Sequence, residues 1–162
     1  MCVLMDTAMK LLSDKPYTEF ELGKQLEKMF ADTPNAGTLI QNTLKRLHEL
    51  HLLNDHRLAE GIAARYTHKG NSFTIQILRQ RGIRDEVIEE VLAQLGDEYP
   101  RALDEARQKC SSLREEHPEK AKIQVYRFLL GRGFSYDTIK TVCKELGNEG
   151  SFGITSCYEE CK

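Results

Sequence analysis

The feature that most constrains this chain is an internal repeat. Leu78, Gly82, Ile88, Val91, Leu92 and Leu95 recur fifty-one positions later as Leu129, Gly133, Ile139, Val142, Cys143 and Leu146. A looser copy lies nearer the N-terminus as Leu26, Ile40, Leu44 and Leu47, with four extra residues between its halves. A fixed period longer than one helix marks a repeated supersecondary unit. Each unit reads as a helix, a tight break and a second helix, with a further helix leading in. At roughly fifty residues an isolated core is marginal, so each unit must lean on its neighbour. The expected fold is all-α, with three tandem three-helix repeats forming an elongated, curved array. The repeat boundaries fall at 1–53, 54–97 and 98–147, and a mobile tail is expected over 148–162.

Apolar spacing and capping chemistry place the helices. Val3, Leu4, Ala8, Leu11 and Leu12 predict a first helix, which Pro16 closes. Thr18 followed by Glu21 fits a capping box, opening a helix from Glu19 to about Phe30. After a break over 32–37, Ile40, Leu44 and Leu47 form the stripe of a third helix. Asn54 is a good N-cap for a helix to about His68, with Leu58, Ile62 and Tyr66 turned inward and Gly70 and Asn71 ending it. Gly82, Gly96 and Gly133 follow apolar stripes as helix stops, Gly82 as a left-handed C′ residue. Pro100 and Pro118 suit first helical turns, and Ser135 caps a last helix to about Leu146. No segment alternates as a strand would.

Composition excludes several classes of function. The chain has 162 residues and a net charge of −2, and no apolar run approaches a membrane span. Residues 1–12 hold Asp6 and Lys10 and lack a secretory h-region, so a cytoplasmic protein with reduced thiols is expected. Of five cysteines, Cys157 and Cys161 are four apart, but no second ligand pair accompanies them for zinc. His48 and His51 lie three apart near a helix end, where a cation suits the dipole, and third and fourth metal ligands are wanting. No nucleophile–base pair or phosphate-binding loop is legible. The reading is a protein that is no enzyme and takes neither cofactor nor metal.

What stands out is basic. Between Arg57 and Arg84 the chain carries Arg57, Arg65, Lys69, Arg79, Arg81 and Arg84 against Glu60 alone. The next stretch, Asp85 to Glu98, holds six carboxylates and no Lys or Arg. Opposed charge of this kind favours an oriented encounter with a charged partner. Arg57, Arg65 and Lys69 read as a helical row bordering the buried stripe. Lys120, Gln124 and Arg127 align in the same way further on, with Lys122 nearby. Arg79, Arg81 and Arg132 suit either a partner or their own helix ends, where long stems also cover apolar surface.

These residues carry a family resemblance. The run Leu53-Asn54-Asp55-His56-Arg57-Leu58-Ala59, then Lys69-Gly70, then Leu78-Arg79-Gln80-Arg81-Gly82-Ile83 resembles the central signature of the RecX regulatory proteins. Glu119-Lys120-Ala121-Lys122, Arg127-Phe128-Leu129 and Arg132-Gly133-Phe134-Ser135-Tyr136-Asp137 resemble a second. The likeness covers roughly residues 3 to 147. It departs at Leu58, where the family usually has Phe, at Gly61 inside a helix, and in the first repeat, which has no mid-repeat glycine. The resemblance implies a bacterial cytosolic regulator that binds in the groove of the RecA recombinase–single-stranded-DNA filament. Such a regulator inhibits the filament's ATPase, strand-exchange and co-protease activities. A monomer with weak non-specific affinity for single- or double-stranded DNA is expected.

The competing reading is a helix-turn-helix DNA-binding module. Its recognition helices would begin Arg84-Asp85-Glu86 or Ser135-Tyr136-Asp137, which are acidic where bases would be read. The turn assignment itself is testable. Gly82→Val or Gly133→Val is expected to lower unfolding free energy by at least ~1 kcal/mol, because a β-branched residue resists positive φ. Urea melts of both variants check it.

Overall fold

The structure, a computed structural model, describes residues 2–113 and 117–150. Among these the protein is all-α, with helices α1 (Cys2–Asp14), α2 (Glu19–Met29), α3 (Ala36–Glu49), α4 (Asp55–Arg65), α5 (Asn71–Gln80), α6 (Asp85–Leu95), α7 (Glu98–Ser112), α8 (Pro118–Gly131) and α9 (Tyr136–Asn148). They fall three to a repeat. The last helix runs through Asn148, two residues beyond its expected end, and residues 151–162 of the expected tail lie outside the described residues.

The helix starts follow local chemistry. Thr18 Oγ1 accepts from Glu21 N at 3.1 Å while Thr18 N donates to Glu21 Oε2 at 3.1 Å, completing the capping box. Asn54 Oδ1 accepts from Arg57 N, Asp97 Oδ1 from Tyr99 N, and Ser135 Oγ from Thr138 N. Pro118 opens α8 at the first helical position. Where the first repeat has no glycine between its second and third helices, Asn35 takes the left-handed conformation instead, at φ 58°. Asn tolerates that region better than most residues.

By contacts, the chain divides into two compact units, residues 1–65 with 76–94 and residues 66–75 with 95–162. In the first, α1 packs on α2 and α3 around Leu4, Ala8, Leu22, Leu26, Ile40, Leu44, Leu47 and Leu53. In the second, α7 packs on α8 and α9 around Ala102, Ala106, Val125, Leu129, Phe134, Ile139, Val142, Cys143 and Leu146. The repeated apolar positions are therefore core positions in the first and third repeats, whereas Leu92 and Leu95 of the second are half-buried. Leu78, Ile88 and Val91 are buried as well, matching Leu129, Ile139 and Val142.

The fourth helix differs from the expectation. It stops at Arg65, not His68, and its buried line is Ala59, Ile62 and Ala63. Leu58 and Tyr66 are only half-buried, and the Tyr66 ring meets Phe73 edge-on at 5.3 Å. Asn71 opens the next helix instead of ending this one. The cause is long-range: Asn71 N donates to Glu98 Oε1 at 2.7 Å, and Arg101 Nη1 donates to Lys69 O at 3.0 Å. Those bonds hold residues 67–71 as a turn that helical spacing alone does not reveal.

Each unit contains the same joint between successive repeats. In the first, Thr18 Oγ1 donates to Arg81 O at 2.7 Å, and Asp55 Oδ1 accepts from Glu19 N at 2.9 Å. Gly82 has φ 74°, and a Cβ there would overlap the Phe20 ring. In the second, Gly70 N donates to Arg132 O at 2.8 Å, and Glu98 accepts from Asn71 N. Gly133 has φ 82° with Phe73 Cβ 2.8 Å from where its own Cβ would stand, and a Cβ on Gly70 would overlap the Gly133 carbonyl.

Gly70 and Gly96 separate sterics from backbone conformation. Gly96 has φ 72° but open space around it, whereas Gly70 is enclosed by backbone atoms. Gly96→Ala is expected to cost about 1 kcal/mol from left-handed strain alone. Gly70→Ala is expected to cost more than about 2 kcal/mol, because backbone must shift and the bond to Arg132 O lengthens. Chemical denaturation of the two variants side by side checks the ordering.

Candidate partner interface

The ten basic residues singled out by sequence divide by what their side chains touch. Arg81 and Arg132 are used inside the fold. Arg81 makes a two-pronged contact to Glu21, Nε to Oε1 at 2.9 Å and Nη2 to Oε2 at 2.8 Å, and also donates to Pro16 O. Arg132 pairs with Glu105 at 3.0 Å, donates to His68 O, and lays its guanidinium 4.5 Å from the Phe128 ring centre. Both follow their helix ends and clamp the joint. Arg79 is exposed and paired with Asp85 at 2.9 Å.

The others point outward or lie apart. Arg57 and Arg65 are exposed on α4, and Arg84 is exposed just before α6. Lys120 and Arg127 are exposed on α8, and Lys122 on the same helix is half-buried. Among the described residues the side chains of Arg57, Arg65, Arg84, Lys120 and Arg127 make no ion pair or hydrogen bond. Lys69 does not continue the α4 row, because the helix ends before it. Its Nζ sits 5.0 Å from the Phe73 ring centre in the turn ahead of α5.

The acidic stretch is likewise mixed. Glu98 is buried, and its Oε2 accepts from Ser135 N at 3.2 Å and from Thr138 Oγ1 at 3.0 Å. Glu89 and Glu90 are exposed, with Glu90 reaching His56 Nε2 at 3.2 Å. The sequence reading places Glu98 in the acidic stretch that would meet a charged partner, and no local signal marks its buried role. The first turns of α6 and α9 carry Asp85, Glu86 and Asp137, an unfavourable start for reading bases.

Among the described residues no catalytic arrangement emerges from the geometry. An open cleft of about 560 Å³ between α1 and α3 is lined by Met5, Asp6, Asn42, Thr43, Lys45, Arg46 and Glu49, where Arg46 and Glu49 pair with each other at 2.9 Å. His48 Nε2 lies 2.9 Å from Glu19 Oε2, so its partner is a carboxylate and not His51. Among the described residues no cluster of three His, Cys, Asp or Glu is placed to hold a metal, and no helix is long and apolar enough to cross a membrane. Burial pushes the Cys110 thiol up from its usual value, which disfavours the reactive thiolate.

The described residues define an all-helical protein of three-helix repeats. Comparison gives the family. A family model described as the third three-helix domain of RecX matches residues 97–143, which takes in α7, α8 and the first eight residues of α9. The regulatory protein RecX of Chlorobaculum tepidum is 30% identical over 91% of this chain and 91% of its own length. That of Cronobacter sakazakii is 32% identical over 86% of this chain and 89% of its own. The crystal structure of RecX from Lactobacillus salivarius superposes with a TM-score of 0.78 at 24% identity, covering 90% of this chain and 95% of that one. The chain belongs to the RecX family of regulatory proteins.

The Glu21–Arg81 contact sets a pH dependence. The Arg81 guanidinium lowers the Glu21 carboxyl below its ordinary range, with burial opposing and the Thr18 N–H and Lys15 assisting. A depressed folded-state value means the stabilisation is present above the unfolded carboxylate range and is lost as pH falls through the lowered value. Glu21→Gln is therefore expected to be less stable than wild type at pH 7, by about 1 kcal/mol after solvent screening. The gap narrows under acid as the native Glu21 protonates. Urea melts at pH 7 and pH 3 check the convergence.

Proposed function

We propose that this protein binds the RecA recombinase–single-stranded-DNA filament, in its groove, and inhibits the filament's ATPase, strand-exchange and co-protease activities. Family membership along nearly the whole chain carries the reading. It acts as a cytoplasmic monomer without a cofactor. Of the three repeats, 1–53, 54–97 and 98–147, the second and third present the cations to the filament. The contact charges are Arg57, Arg65 and Arg84 in one unit and Lys120, Lys122 and Arg127 in the other, with Lys69 and Arg79 alongside. Arg81 and Arg132 serve by holding the repeats that carry them. Arg57, Arg65, Arg84, Lys120 and Arg127, exposed and without an ion pair among the described residues, gain more from a new anionic partner than a cation already neutralised, as Arg79 is by Asp85. Weak non-specific affinity for DNA follows from the same charges.

Reversing Arg57, Arg65 and Arg84 to Glu is expected to keep helicity and melting near wild type, since all three are exposed and unpaired. It is expected to weaken filament binding at least about tenfold and to flatten its salt dependence. The measurement is binding to ATP-bound filament and to naked single-stranded DNA, with ATP hydrolysis followed alongside. Wild type that binds naked DNA as tightly as filament and leaves hydrolysis unchanged would make the protein a DNA-binding module instead.

A further inference from the structure

The outward face of α8 carries apolar surface that the fold does not use. Ile123 and Leu130 are each 51% exposed, and Tyr136 beside them is 52% exposed. Helical geometry puts residues 123 and 130 on one line, about 10 Å apart along the axis, on the side away from buried Val125 and Leu129. Tyr126, one helical turn before Leu130, meets the Tyr136 ring edge-on at 6.4 Å and extends the apolar strip toward α9. Lys120 and Arg127 border the other side of the strip, also seven residues apart, with no ion pair or hydrogen bond among the described residues. The two aliphatic side chains and the tyrosine pair thus form one strip along the helix, with cations along its edge.

Resting on the proposed function, we infer that this face is a protein-docking surface that seats an apolar ridge of the recombinase bordered by carboxylates. The chemistry selects a protein over a nucleic acid. The centre of the face is aliphatic, and aliphatic groups gain by excluding water against other apolar groups. Successive bases stack on ring faces lying parallel to one another, whereas the two tyrosines stand at 79°, the edge of one toward the face of the other. Two cations with a fixed axial spacing select carboxylates at matching positions and set the orientation of the contact. An apolar centre with a charged rim is the usual anatomy of a specific protein interface.

The test uses the full chain and the ATP-bound recombinase filament on single-stranded DNA. One variant joins Ile123→Ser with Leu130→Ser, and a second joins Lys120→Glu with Arg127→Glu. Circular dichroism checks that both remain folded, which their exposure favours. The serine pair is expected to weaken filament binding about tenfold with its salt dependence unchanged. The glutamate pair is expected to weaken binding similarly and flatten the salt dependence. The serine pair is expected to leave affinity for naked single-stranded DNA unchanged, whereas the glutamate pair weakens it, because the non-specific affinity follows from the same charges. Filament binding unaltered by the serine pair would overturn the docking surface while leaving the regulator reading intact. An equal loss by the serine pair on naked DNA would make nucleic acid the occupant and overturn it too. Wild type that fails to bind filament would remove the regulator reading, and this inference with it.

Discussion

The fold depends on how the N-terminus of one helix in each repeat is satisfied. The first N–H groups of a helix have no partner within it. At α2 and α5 the following repeat supplies two acceptors. One is the carboxylate that opens that repeat's first helix: Asp55 for Glu19 N, and Glu98 for Asn71 N. The other is a main-chain carbonyl at an Arg–Gly turn: Arg81 O for Thr18 Oγ1, and Arg132 O for Gly70 N. The helix that ends at that turn brings its negative pole to the positive pole of α2 or α5, so the dipoles add to the bonds. The glycine is needed twice over, for positive φ and for room beneath a phenylalanine.

This explains which parts were legible in the sequence. The fifty-one-residue register, the Thr18 capping box and the stops at Gly82, Gly96 and Gly133 are local patterns, and each reads off a few neighbouring residues. What sequence did not reveal is made by distant partners. Asn71 opens a helix because a carboxylate twenty-seven residues on accepts its N–H. The α4 seam runs through Ala59 and Ala63 because small side chains can pack closely, whereas periodicity favours the larger Leu58 and Tyr66. Glu98 sits in an acidic run and looks solvated until α5, α7 and α9 are seen to converge on it.

The candidate interface was legible in its charges but not in their division of labour. Arg81 and Arg132 belong to the motifs that carry the family resemblance, yet their guanidiniums are spent on Glu21 and Glu105. These two motif arginines thus hold successive repeats together, while the motif cations Arg57, Lys120 and Arg127, with Arg65 and Arg84 outside the motifs, stay exposed. A charge count cannot separate the two groups. Only the position of a carboxylate brought in from elsewhere in the chain does so. The aliphatic strip on α8 escaped notice for a related reason, since Ile123 and Leu130 look like core residues until the buried side of the helix is known.

The joint also explains two local departures from the repeat. Gly82 and Gly133 must combine positive φ with room for the Phe20 and Phe73 side chains, whereas Asn35 answers the conformational demand alone, at φ 58°. Where α2 has Glu19 and α5 has Asn71, each donating its N–H to a carboxylate, α8 has Pro118, which has no N–H to satisfy and so needs no such acceptor.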